Sequence, residues 1–221
     1  MAEELSELSK RHGKLKVRLI LLSKALLEKM IFLIEKISCR KKEFVAPKKI
    51  LFIHLWGLGD YLMSTPAIQE IKKLFPDAKI SVLTRHFFKE AVECNPDVNE
   101  IIEYNGFAKS INKLKEKKFD LVICLRKSTE SYGIALNLNC QRIGYLYDFK
   151  VRSNGFPLKK TKAAEKLPWV DFYLQIPIAL GAKNCEKNYV MKIPQKIQKK
   201  ISILLKSKKI SDFIVFNIGT R

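Results

Sequence analysis

Apolar residues in the first third of the chain follow two different rhythms. Across residues 15–37 they recur at helical spacing, with Leu19, Leu22, Leu26, Met30, Leu33 and Ile37 on one stripe and Ile20, Leu27, Ile31 and Ile34 widening it. Lys24, Glu28, Lys29, Glu35 and Lys36 occupy the other side. They interrupt the segment too often for a membrane span of roughly twenty apolar residues. The pattern predicts an amphipathic helix lying flat on a surface. Lys10, Arg11, Lys14, Lys16 and Arg18 before it, and Arg40, Lys41 and Lys42 after it, suit an anionic leaflet. Packing on the domain or on a second subunit is the alternative.

From Ile50 to Leu55 the rhythm gives way to a nearly continuous apolar run, the mark of a central parallel strand covered on both faces. Gly57, Leu58, Gly59 and Asp60 form a turn into a helix that reaches Leu74, where Thr65-Pro66 suits either an internal kink or a helix start. Further strands are expected at 79–84, 98–104, 119–125 and 142–147, with helices at 86–94, 108–118 and 128–138 between them. This alternation predicts a doubly wound parallel α/β sheet. Residues 43–49, with Pro47, read as a linker. Residues 149–162, with Ser153-Asn154-Gly155, Pro157 and several lysines, read as a mobile loop. A helix is expected over 167–181, capped by Gly181 and kinked or broken at Pro177, and a basic helix over 193–206. Residues 211–219 read as the opening strand of a new unit. The expected division is a leader helix and linker at 1–47, a Rossmann-like domain at 48–207, and the first strand of another domain at 208–221.

Composition narrows the classes. Forty-seven per cent of the 221 residues are hydrophobic, ample for a core. The net charge of +20 is compatible with nucleic acid, but the excess is mainly lysine spread along the chain, without interleaved aromatic and basic residues. A solvated lysine-rich surface, an anionic membrane or an acidic acceptor fits better than nucleic acid. Cys39, Cys94, Cys124, Cys140 and Cys185 form no Cys-x-x-Cys pair, so neither a zinc site nor a disulfide framework is indicated, and a reducing cytoplasm is expected. No signal peptide is evident at the amino terminus.

The turn after the first strand holds the chemistry. Gly57-Leu58-Gly59 resembles the start of a dinucleotide fingerprint, but position 62 is Leu, and Asp60 sets a negative charge where a pyrophosphate would rest. Asp60 has two other readings: a general base taking a proton from an attacking hydroxyl, or a cap for the following helix. His54 lies within the apolar run and reads as a core histidine, and His86 as a helix-start residue.

The run from Ile50 to Ile102, with its GLGD, TPA, FPDA and NPDVNEII segments, closely resembles the N-terminal domain of glycosyltransferase family 9, which includes the ADP-heptose:lipopolysaccharide heptosyltransferases. FDLVICL, QRIGY, DFYLQIPIALGA and FIVFNIGTR extend the resemblance over about 48–221. It implies the N-terminal half of a GT-B glycosyltransferase, a Rossmann-like acceptor domain facing a second domain that holds the nucleotide sugar. It implies inverting transfer from ADP-heptose to a lipopolysaccharide-type hydroxyl, with Asp60 as catalytic base and Gly57 and Gly59 shaping the acceptor loop. Arg126 and Lys127, with Arg85 a third, become candidates for acceptor phosphate or carboxylate, a solvated face being the alternative for each. The partners implied are a nucleotide-sugar donor, a glycolipid acceptor and, through the leader helix, the inner face of the cell membrane. No cofactor or metal is implied. Since the donor-binding domain would lie beyond Arg221, the chain alone is expected to transfer little, and a non-catalytic membrane-associated binding module is the alternative.

Overall fold

The computed structural model describes residues 26, 30, 43–126, 128–145, 151–154, 156–159, 161 and 167–215. The leader helix therefore lies outside the described residues except for Leu26 and Met30, which are helical and exposed. No described helix is long and apolar enough to cross a membrane.

Six strands form one sheet in the order β3-β2-β1-β4-β5-β6. They are β1 (Lys49–His54), β2 (Lys79–Thr84), β3 (Glu100–Glu103), β4 (Leu121–Cys124), β5 (Gln141–Tyr145) and β6 (Val151–Ser153). The first five are parallel, and β6 closes the edge antiparallel to β5. The segment read as a mobile loop thus contributes a strand. Its register is fixed by Asn154, whose Oδ1 accepts from the Arg142 amide at 2.7 Å while its Nδ2 donates to the Cys140 carbonyl at 3.0 Å.

Alternation along the strands feeds two cores. Ile50, Phe52, Ile80, Val82 and Ile123 face α1 (Leu58–Leu74) and α5 (Trp169–Leu180), which pack on each other. Leu51, Ile53, Leu83, Ile102 and Val122 face α3 (Phe107–Lys117) and α4 (Thr129–Leu136). β1 supplies both, which explains its unbroken apolar run. A 3₁₀ turn (His86–Phe88) and the short α2 (Lys89–Glu93) link β2 to β3, and α6 (Gln195–Ser207) carries no buried residue. At Gly144 in β5 a Cβ would stand 2.6 Å from that of Cys124, so only glycine permits this approach of β5 to β4.

Both internal prolines are absorbed. Pro66 lies within α1, where the Thr65 hydroxyl donates to the Leu62 carbonyl at 2.8 Å and replaces the bond that proline cannot make. α5 runs through Pro177 to Gly181, whose φ of 115° ends it in a left-handed cap. Residues 211–215 are exposed and not a strand, and the rest of the expected terminal strand lies outside the described residues.

Candidate active site

Strand order reverses at β1, whose neighbours are β2 on one side and β4 on the other. The carboxyl ends of β1 and β4 therefore flank a topological switch point, the usual ligand crevice of an open α/β sheet. Asp60 enters from the β1 side and Arg126 from the β4 side.

The local backbone sets the position of Asp60. Gly57 is the N-cap of α1, with φ −71° and ψ 165°, and Asp60 lies in the first turn. Neither Gly57 nor Gly59 uses glycine's left-handed freedom, since Gly57 is extended and Gly59 is helical. The tight glycine turn expected from sequence is replaced by a direct strand-to-helix passage. The two glycines instead leave space: a Cβ on Gly59 would meet nothing, and one on Gly57 would lie 3.8 Å from Asp60 Oδ2. Among the described residues, the hydrogen bonds of the Asp60 carboxylate go to Arg126 and Tyr173 and not to the amides of its own helix.

Its carboxylate instead reaches across the crevice. Arg126 Nη1 donates to Asp60 Oδ1 at 2.7 Å, and the Tyr173 hydroxyl donates to the same oxygen at 3.1 Å. The Asp60 and Arg126 side chains are 19% and 28% exposed, so the pair is shielded yet reachable. The Arg126 guanidinium lies between two indoles, 4.6 Å from the centre of Trp56 and 4.7 Å from that of Trp169. Each such contact stabilises by about 0.5–1 kcal/mol when partly exposed. Arg126 is thereby held in one orientation toward Asp60.

Burial, and next the Asp60 carboxylate, push the Tyr173 phenol well above its ordinary range, so it remains a neutral donor. Burial lowers His54 to about 4 against the opposing pull of its bond to the Gly57 carbonyl and of Asp60. His54 is a neutral core histidine, 2% exposed, with Nε2 3.2 Å from the Gly57 carbonyl and its ring edge-on to Tyr61. It braces the turn that carries Asp60.

Arg85 follows β2 and serves the scaffold. Its Nε donates to the Leu55 carbonyl at 3.0 Å, its Nη2 stands 3.4 Å from Glu130, and it stacks over Tyr104. Tyr104 in turn donates to Glu130. His86 pairs with Glu103 at 3.3 Å. Lys127 lies outside the described residues. Of the sequence candidates, Asp60, Gly57, Gly59 and Arg126 meet at one place. Tyr173, Trp56 and Trp169 were not foreseen. The aromatic cluster PWVDFY at the start of α5 was the available signal, but nothing local says that α5 lies against α1. Among the described residues no group of three or more His, Cys, Asp or Glu side chains could hold a metal ion.

No family model matches the chain. It is 27% identical over 152 residues to lipopolysaccharide heptosyltransferase 3 of Escherichia coli, an alignment covering 62% of this chain and 44% of that protein. A glycosyl transferase family 9 structure from Veillonella parvula superposes with a TM-score of 0.61 at 17% identity, covering 83% of this chain and 56% of the other. E. coli ADP-heptose LPS heptosyltransferase II superposes with a TM-score of 0.54 at 20% identity, covering 74% and 51%. The chain thus spans about half the length of the proteins it matches. The chain thus resembles a heptosyltransferase in sequence over 152 residues and shares its fold with glycosyltransferases of family 9.

Proposed function

We propose that this chain forms the acceptor half of an inverting glycosyltransferase that moves heptose from ADP-heptose to a hydroxyl of a lipopolysaccharide-type glycan. The observation that carries the reading is the partly shielded Asp60 carboxylate at the crevice between β1 and β4, held by Arg126 and Tyr173. Asp60 takes the proton of the acceptor hydroxyl as its oxygen bonds to the anomeric carbon, and ADP leaves with the electron pair of the bond that breaks. Arg126, clamped between Trp56 and Trp169, orients the carboxylate and offers its remaining N–H groups to an anionic substituent of the acceptor. Gly57 and Gly59 keep the approach open, and Lys127 adds a second cation beside Arg126 in sequence. The donor sugar and nucleotide belong to a second domain of the GT-B type.

The amphipathic pattern of 15–37, flanked by cations, supports attachment to the inner face of the cell membrane, where a glycolipid acceptor would lie. The test is transfer of labelled heptose from ADP-heptose to deacylated lipopolysaccharide core by this chain supplied with a GT-B donor-binding domain, as wild type and as Asp60→Asn. Transfer by wild type and its loss in the variant, with thermal unfolding unchanged, is the expected result. Equal transfer by both removes Asp60 from the reaction. Absence of transfer by wild type, with saturable binding of the acceptor, favours a non-catalytic binding module.

A further inference from the structure

Two hydrogen bonds converge on one oxygen of Asp60 and, among the described residues, leave the other without a hydrogen-bond partner. Arg126 and Tyr173 both donate to Oδ1, whereas Oδ2 faces Gly57, where no side chain stands in the way. Arg126 is fixed by two indoles, and Tyr173 is 1% exposed within the packed face of α5. Neither donor is free to swing to the second oxygen. We infer that Tyr173 is a positioning residue which, with the Trp56–Arg126–Trp169 stack, locks Asp60 through Oδ1 and presents Oδ2, on the open Gly57 side, as the oxygen that takes the acceptor proton.

This inference rests on the transferase reading for its chemistry, but its geometric part stands on its own. The acceptor O–H breaks and its proton goes to Oδ2, the acceptor oxygen bonds to the anomeric carbon, and the nucleoside diphosphate departs with the electron pair of the bond it loses. Throughout this step Arg126 and Tyr173 remain on Oδ1. A carboxylate held by one oxygen keeps a single lone-pair direction aimed at the acceptor. Without Tyr173 a single donor, Arg126, holds Oδ1 and the carboxylate has more room to turn about its last bond, and small misplacements of a reacting group are costly in rate.

The chain supplies its own reporter. It contains two tryptophans, and both stack on Arg126. Tryptophan emission and its quenching by iodide therefore read the position of the guanidinium in the full chain, whether or not sugar is transferred. Tyr173→Phe keeps the ring and removes one hydroxyl. Its emission and quenching are expected to shift from wild type in the same direction as those of Asp60→Asn. Gly57→Ala places a methyl beside Oδ2 without touching Oδ1, and its emission is expected to match wild type. In the transfer assay, Tyr173→Phe should lower kcat about tenfold to a hundredfold with KM for the acceptor little changed, and Gly57→Ala should lower transfer with unchanged emission.

A wild-type emission spectrum in Tyr173→Phe, alongside an altered one in Asp60→Asn, overturns the positioning role. Full transfer by a folded Gly57→Ala overturns the assignment of Oδ2. If the wild-type chain supplied with a donor-binding domain transfers no sugar, the transferase reading fails, while the emission comparison still decides whether Tyr173 sets the position of Asp60.

Discussion

Asp60 and Asp120 stand at opposite ends of the same sheet, and their partners differ in kind. At the amino edge, Asp120 Oδ2 accepts from the amides of Lys48 and Lys49, both at 2.8 Å, while Gln141 accepts from the Val45 amide and donates to its carbonyl. That carboxylate satisfies backbone that would otherwise lack partners where the linker enters β1. At the carboxyl edge, Asp60 takes only side chains, from β4's end and from α5, and leaves the amides of its own helix alone. A carboxylate bonded to backbone holds the fold in place. One held by other side chains, with an oxygen left without a partner among the described residues, leaves room for a ligand.

The contrast can be broken most severely at Asp60. Asp60→Asn should reduce sugar transfer by about a hundredfold to ten-thousandfold, the usual loss for a general base, with a melting temperature close to wild type. Transfer kinetics and a thermal melt on the same sample check both halves.

A different effect is expected from His54, which braces that edge. Its folded pKa of about 4 lies below the ordinary 6.5. Between those values the unfolded chain binds more protons than the folded one, so stability rises with pH across the window and is lost as pH falls through it. The full loss from above 6.5 to below 4 is about 3 kcal/mol. Urea unfolding at several pH values should show this slope in wild type and a shallower one in His54→Gln.

Asp120→Ala sharpens the comparison from the other end. Losing the acceptor of two exposed amides should cost about 1–2 kcal/mol of stability, seen in urea titration, while the tryptophan emission of the distant site stays unchanged. The smallest effect is expected at Ser128, the N-cap of α4, whose side chain accepts from the Ser131 amide. Ser128→Ala should lower stability by about 1 kcal/mol, readable as a lower urea midpoint.

What the sequence discloses follows the same division. The strand at 79–84 is bounded as read from its apolar run, because burial on both faces is written into consecutive residues. The helix ending at Gly181 was legible for a local reason too, the residue that tolerates a positive φ. β6 was not, since three residues in a lysine-rich, Pro- and Gly-bearing stretch carry no period, and their pairing depends on Asn154 bonding to the backbone around β5. At the site, Asp60 and Arg126 were visible because each follows an apolar strand. Tyr173 was hidden because its role comes from helix packing, which no spacing within PWVDFY encodes.

The packing of α5 on α1 joins residues far apart along the chain. Asp60 and Tyr173 are separated by 113 positions, and Asp60 and Arg126 by 66, whereas β1 and β2 pair across a register offset of 30. Closing the longer loops costs more chain entropy and slows the steps that depend on them. The β1–β2–β3 half of the sheet therefore has a local route to assembly, whereas the joining of β1 to β4, like the site, spans a long stretch of chain. Damage to the α5 docking surface should disturb the tryptophan stack while the β1–β2–β3 pairing is still protected from hydrogen exchange, so the crevice loses its shape before that half of the sheet opens.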